Sequence, residues 1–160
     1  MIFNNTQKLL AGTLALILVA GLGTPAFADE TLYAVSSQDD QLRTIDPNDG
    51  STLDSVTITL AGEVVIGATG LATSPNGVLT AVLRLDSDPL MRELVTLDPM
   101  TGIATSIGNL GQPFAAIAYS NSGQLMGITG GNGNPSHGVH DINTNDASIL
   151  FLCPRHDPLA

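Results

Sequence analysis

Short apolar runs separated by turn-forming residues make up most of the chain after residue 30. The run 56–60 alternates between polar and apolar residues with a period of two, as expected for a strand with one buried face. Between residues 67 and 108 the pattern predicts four strands, at 67–74, 77–85, 92–98 and 103–108. After residue 28, no segment sustains the period of an amphipathic helix. The pattern therefore predicts an all-β fold.

The same strand-and-turn pattern repeats along the chain. Segments 71–82 and 117–128 align without a gap at an offset of 46 residues, with Ala, Ser, Gly and Leu at matched positions. A second motif, Thr-Ile-Asp-Pro-Asn-Asp-Gly at 44–50, returns as Thr-Leu-Asp-Pro-Met-Thr-Gly at 96–102 and more weakly at 141–146. In Asp-Pro-x-x-Gly the proline presets φ, the aspartate accepts backbone N–H groups and the glycine takes a positive φ. Each copy therefore predicts a turn between two strands.

Four-stranded units that recur every 40 to 50 residues or so are typical of β-propeller blades. We place the units at about 31–63, 64–110 and 113–152, followed by an irregular tail at 153–160. The first unit lacks its first strand and we expect the third to decay after Gly130, so fewer than three blades are predicted. A β-sandwich is the structural alternative, because short strands with regular turns also build one.

At residues 94–108 the chain resembles the YVTN-type and quinoprotein-like β-propeller repeats of exported bacterial proteins. The segment has an apolar-x-apolar-Asp strand, a Pro-x-x-Gly turn and an apolar strand that ends at Gly108. The resemblance implies a propeller but no particular function, because such propellers include enzymes, ligand binders and interaction platforms.

The repeat count and the end of the chain both suggest a shortened propeller. A closed propeller needs at least about four blades, so we interpret the chain as a truncated form of a longer one, or as one that self-associates to complete a ring. All three histidines lie in the last 24 residues, and a break in the reading frame after Pro135 would produce such a change.

The first 28 residues predict a signal peptide. A single cation, Lys8, precedes an uncharged apolar run at 9–23, which is shorter than the roughly 20 residues of a membrane span. Ala26 and Ala28 supply the small residues at a cleavage site after Ala28. We therefore predict export to the periplasm or the medium, with no membrane span after cleavage.

The charge balance excludes nucleic acid as a partner. The chain carries 15 acidic against 5 basic residues and a net charge of -10, so a polyanion would meet like charge. We expect a protein or carbohydrate partner instead.

Two groups of residues are candidate metal ligands. His137 and His140 lie three residues apart beside Asp141, an arrangement that a transition metal could use. Asp86 and Asp88 offer oxygen atoms to calcium but lack the rest of a calcium-binding loop, and turn chemistry explains them equally well. The sequence predicts no other cofactor.

No catalytic set is recognisable. The chain has no Gly-x-Ser-x-Gly motif and no Trp, which quinone-dependent propellers use in their blades. The leading hypothesis is therefore an exported binding or interaction module built from propeller repeats. The alternative is the N-terminal fragment of a metal-dependent, lactonase-like propeller hydrolase or of an oxidoreductase.

Overall fold

The computed structural model describes residues 31–153, which form twelve strands in three sheets. No helix occurs in that range, so the predicted all-β class is confirmed. Accordingly, those residues include no helix able to cross a membrane. The predicted signal peptide at 1–28 and the tail after residue 153 lie outside the described residues.

The strands follow one another as antiparallel meanders. The first sheet has the order β1-β2-β3, the second β4-β8-β7-β6-β5 and the third β12-β11-β10-β9. Only the two-residue β4 pairs in parallel, with β8. The strand bounds are β1 Leu32–Val35, β2 Gln41–Ile45, β3 Thr52–Thr57, β4 Thr59–Leu60, β5 Val65–Thr73, β6 Leu79–Leu85, β7 Glu93–Leu97, β8 Ile103–Asn109, β9 Phe114–Tyr119, β10 Leu125–Thr129, β11 Val139–Ile142 and β12 Ile149–Cys153. The four strands predicted between 67 and 108 are present as β5–β8.

The second sheet is buried on both faces. In β6, Leu83 belongs to an apolar cluster shared with the first sheet, whereas its neighbour Val82 belongs to a cluster shared with the third. Both side chains are 0% exposed. Successive residues of a strand point to opposite faces, so β6 packs against both neighbouring sheets. Sheets stacked in series fit propeller blades better than a sandwich, whose two sheets each keep one outer face.

The chain crosses from the first sheet to the second at Ile58. We expected one strand over 56–60, but β3 ends at Thr57 and β4 begins at Thr59. The Ile58 N–H donates to Asp40 O at 2.6 Å, while the Thr59 N–H donates to Gly102 O at 3.0 Å. The alternating pattern correctly predicts an extended chain. The run is nevertheless divided between two sheets, because the hydrogen-bond partner changes at the buried Ile58.

The predicted turns are confirmed in all three units. In the first two copies, Gly50 and Gly102 have φ angles of 75° and 71°, and each N–H donates to the first aspartate's carbonyl at 2.9 Å. In the third copy Asn143 replaces the aspartate and Ala147 replaces the glycine. Ala147 nevertheless keeps the positive φ, at 58°, and the same 2.9 Å hydrogen bond. The weak third copy is thus a structural repeat.

The third sheet continues beyond the point where the sequence predicted decay. After Gly130, β11 and β12 complete a four-stranded sheet that reaches Cys153. The expected decay of the repeat after Gly130 is therefore wrong. The break in the reading frame expected after Pro135 stays a prediction. The 130–138 connection hides the pattern because it is longer than the equivalent connections of the other units, at 36–40 and 86–92. On the outer face of this sheet Ile128, Val139 and Leu150 are exposed.

Candidate functional site

A groove lies where the loops of the three sheets meet. Its volume is about 500 Å³, and it opens at the end of the molecule where β1, β6 and β10 finish and β5 and β9 begin. The lining residues that bear on its chemistry are Val35, Ser37, Thr69, Arg92, Ala115 and Asn132. Groups that follow three different strands therefore face one space of the size typical of small-ligand sites.

The wall between the first and second sheets is set by a close backbone approach. The Ala68 N–H donates to Ser36 O at 2.8 Å, and Arg84 Nη1 donates to Ser37 O at 2.6 Å. A Cβ atom on Gly67 would lie 2.6 Å from Ser37 O, which is too close for any side chain. Glycine at 67 thus allows the loop after β1 to lie directly on β5.

The wall between the second and third sheets is held by side-chain and backbone hydrogen bonds. Thr69 Oγ1 donates to Phe114 O at 2.8 Å, which joins β5 to β9. The Gly130 N–H donates to Pro113 O at 2.7 Å. Thr129, which is 1% exposed, donates through Oγ1 to Pro135 O at 2.7 Å. The glycine-rich 130–138 loop is therefore anchored at its base rather than free along its length.

Arg92 contributes a positive charge to the groove. Its Nη1 donates to Pro89 O at 2.9 Å and to Met91 O at 3.0 Å, so the guanidinium group is held against the loop before β7. Its Nε is buried without a hydrogen-bond partner among the described residues. Burial, and secondarily the charge of Arg84, lowers the pKa of Arg92, although a guanidinium group stays protonated in proteins.

Among the lining residues of the groove, Arg92 alone is charged, and no Asp or Glu lines it. Within residues 31–153 the one ion pair joins Arg43 to Asp39 at 2.7 Å, on the first sheet. Neither Arg84 nor Arg92 therefore forms an ion pair with a described carboxylate. The lining thus offers one positive charge to a ligand, in a chain whose net charge is -10.

The histidines proposed as metal ligands lie in different environments. His137 is exposed, and its Nδ1 lies 2.8 Å from Ser136 Oγ. His140 is only 2% exposed, with its ring centroid 5.4 Å from those of both Phe114 and Phe151. Neither ring nitrogen of His140 has a hydrogen-bond partner among the described residues, and burial lowers its pKa.

The carboxylates proposed as ligands are also separated. Asp141 follows His140 in β11 and so points to the opposite face. Asp86 and Asp88 are exposed, and Asp88 Oδ1 accepts the N–H groups of Leu90 and Met91 at 3.3 and 3.2 Å. Across residues 31–153 no three His, Cys, Asp or Glu side chains come together as a metal site would require. Metal binding by these residues stays a prediction from sequence.

Neither Arg92, which lines the groove, nor Arg84, whose charge acts on Arg92, was identified from the sequence. The one signal in the sequence was the scarcity of basic residues. The chain has only 5 of them, and Arg84 and Arg92 flank one loop of the second unit. His140 could have been identified as a core residue, because it precedes the buried Ile142 by two positions in a strand.

Comparison with known proteins identifies the fold alone. No protein-family model matches the chain, and no curated protein matches its sequence. Among solved structures, a glutaminyl cyclase from Myxococcus xanthus is 17% identical over 76% of this chain and 53% of its own, with a TM-score of 0.50. A hydrazine synthase from Kuenenia stuttgartiensis is 14% identical over 70% of this chain and 29% of its own, with a TM-score of 0.46.

A protein of unknown function from Bacteroides caccae is 13% identical over 75% of this chain and 38% of its own, with a TM-score of 0.46. The similar structures have all-β, propeller-type folds. The likeness to the glutaminyl cyclase thus supports a propeller-type class for this chain. The chain spans between 29% and 53% of the length of these three structures.

Proposed function

We propose that this chain is an exported binding or interaction module built from YVTN-type or quinoprotein-like propeller repeats, and that it represents part of a longer propeller. The observation that carries the proposal is the groove, because loops of three consecutive units converge on it. Such loops are free to differ in sequence without disturbing the packed sheets beneath them.

The groove suits recognition better than the sheet interiors do. The two apolar clusters fill the space between the sheets with buried side chains, whereas the groove offers the polar groups of Ser37, Thr69 and Asn132 beside small apolar residues. Hydroxyl and amide groups of this kind bind sugars and peptides through hydrogen bonds. A carbohydrate or protein partner is therefore the proposed ligand, and a second copy of the chain is a further proposed partner, which would extend the ring.

Binding of the purified chain to a panel of neutral and acidic oligosaccharides and peptides tests the proposal, with contacts mapped by amide chemical-shift changes. We expect changes at residues 36–40, 86–92 and 130–138, without turnover of the ligand. Export is tested on the same preparation, whose intact mass is expected to correspond to a chain that begins at Asp29.

Two results would contradict the proposal. Shift changes confined to the turns at the opposite end of the sheets, such as 74–77 and 120–123, would place binding away from the groove. Metal-dependent turnover of lactone or ester substrates by the purified chain would favour the fragment of a hydrolase instead.

A further inference from the structure

We propose that the groove binds the oxyanion of an acidic sugar, a carboxylate or a phosphate group on a hydroxylated ring, with Arg92 as the residue that contacts the anion. This inference rests on the proposed binding function and narrows its ligand to one chemical class. Three features of the groove support it: the free Nη2 donor of Arg92, the lack of an ion pair to Arg92 among the described residues, and the hydroxyl and apolar groups of the remaining lining.

Arg92 is held in place through one of its terminal nitrogens, which leaves the other without an acceptor among the described residues. Its Nη1 is fixed by the carbonyl groups of Pro89, Leu90 and Met91 at 2.9 to 3.3 Å. Nε and Nη2 have no acceptor among the described residues, and of these two only Nε is fully enclosed. An arginine whose position is already fixed loses little conformational freedom when it binds a ligand. Nη2 is therefore the donor left to contact an oxygen of a carboxylate or phosphate.

No described carboxylate forms an ion pair with Arg92. The charge of Asp88 acts on Arg92, but its effect is smaller than that of burial and that of the Arg84 charge. Arg84 adds a second positive charge at the same end, where its Nη1 donates to the Ser37 carbonyl. The charge of Arg84 acts unfavourably on Arg92, and an anion bound at Arg92 would offset that repulsion.

The rest of the lining fits a sugar ring. Ser37 Oγ accepts a hydrogen bond from Gln38 Nε2, which leaves its own O–H free to donate. Thr69 Oγ1 donates to Phe114 O and keeps its lone pairs available for a ligand hydroxyl. Val35 and Ala115 supply small apolar surface for the C–H faces of the ring. A volume of about 500 Å³ accommodates one or two such rings.

Isothermal titration of the full chain at low salt tests the inference with three probes. Glucuronate supplies a carboxylate, glucose 6-phosphate supplies a phosphate, and glucuronamide is the neutral counterpart of glucuronate. We expect at least one anionic probe to bind about tenfold or more tightly than glucuronamide. The tighter-binding anion of the two shows whether the site prefers a carboxylate or a phosphate group.

Two matched sets of variants locate the site. Arg92→Gln is expected to reduce anion affinity by about tenfold or more, whereas Arg43→Gln, which removes an arginine on the first sheet, is expected to leave it unchanged. Ala115→Glu places a negative charge on an exposed lining residue and should abolish binding, while the equally large Ala115→Gln should retain more of it. The pair at 115 keeps the test valid if Arg92→Gln does not fold.

Each other outcome contradicts the inference in a recognisable way. Equal affinity for glucuronate and glucuronamide would refute the anion contact and leave the binding module standing. Equal losses in Arg92→Gln and Arg43→Gln would show only diffuse attraction to basic residues. No binding of any probe would refute an acidic-sugar ligand, whereas the proposed binding function would still be judged by the wider panel.

Discussion

Alanine substitutions at Gly50 and at Gly102 separate two destabilising effects, the strain of a positive φ and the clash of a Cβ atom with nearby backbone. The two residues close equivalent turns, with φ angles of 75° and 71° and the same 2.9 Å hydrogen bond to the aspartate that begins the turn. They differ in what surrounds them. A Cβ atom on Gly50 would meet nothing within 4 Å, whereas one on Gly102 would overlap the backbone carbonyl of Thr57.

The structure gives the size of each effect. An L-residue at such a φ costs about 1–2 kcal/mol, and this strain is common to both variants. The change in the unfolded chain on replacing Gly by Ala is also common to both. Gly102→Ala must in addition move the backbone where the chain crosses from β3 to β4. Overpacking of this kind destabilises a protein by about 1–3 kcal/mol. It also strains the hydrogen bond from Thr59 N to Gly102 O, worth about 1 kcal/mol.

Urea unfolding of the two variants and the parent protein at neutral pH measures the difference. We expect Gly50→Ala to lower the free energy of unfolding by about 1–2 kcal/mol and Gly102→Ala by about 2–4 kcal/mol more. Equal slopes against urea concentration would show that the same surface is exposed on unfolding in all three proteins. Losses that agree within about 0.5 kcal/mol would refute the close approach of Gly102 to the crossing.

Two further predictions concern pH. His140→Phe should raise the free energy of unfolding by about 1–2 kcal/mol, because it removes two buried nitrogens without partners and keeps a ring between Phe114 and Phe151. Because burial lowers the pKa of His140 from 6.5, the unfolded state gains that proton more readily than the folded state as pH falls below 6.5, so the parent loses stability there. Urea unfolding at several pH values should show this slope reduced in His140→Phe and kept in His137→Gln. Hydrogen bonds from turn amides lower the pKa of Asp98 from 3.8, so the stability it contributes is present above pH 3.8 and is lost as pH falls through its folded pKa. Asp98→Asn should flatten the acid limb of the stability curve, and an unchanged limb would contradict the assignment.

Much of the fold could be predicted because its signals are local. The apolar run of β6 and the Asp-Pro-x-x-Gly turns depend on residues within a few positions of one another. The division of the 56–60 run could not be predicted in this way, because it depends on Asp40 and Gly102 supplying different partners to Ile58 and Thr59. The surroundings of His140 could not be predicted either, since its neighbours in sequence suggest a ligand cluster whereas its neighbours in space are aromatic rings.

The groove could not be predicted from any one repeat because it exists only between repeats. Its shape depends on points where the backbone of one unit touches another, such as Gly67 against Ser37. Its charge depends on Arg92, which is fixed by carbonyl groups of its own loop. Arg92 shares the groove with residues from loops of the first and third sheets. Substitutions that preserve the apolar alternation of the sheets should therefore keep the fold, whereas a side chain at Gly67 would displace the loop after β1 and alter the groove. In this chain the repeated positions specify the sheets, and the non-repeated positions in the loops specify the shape and charge of the groove.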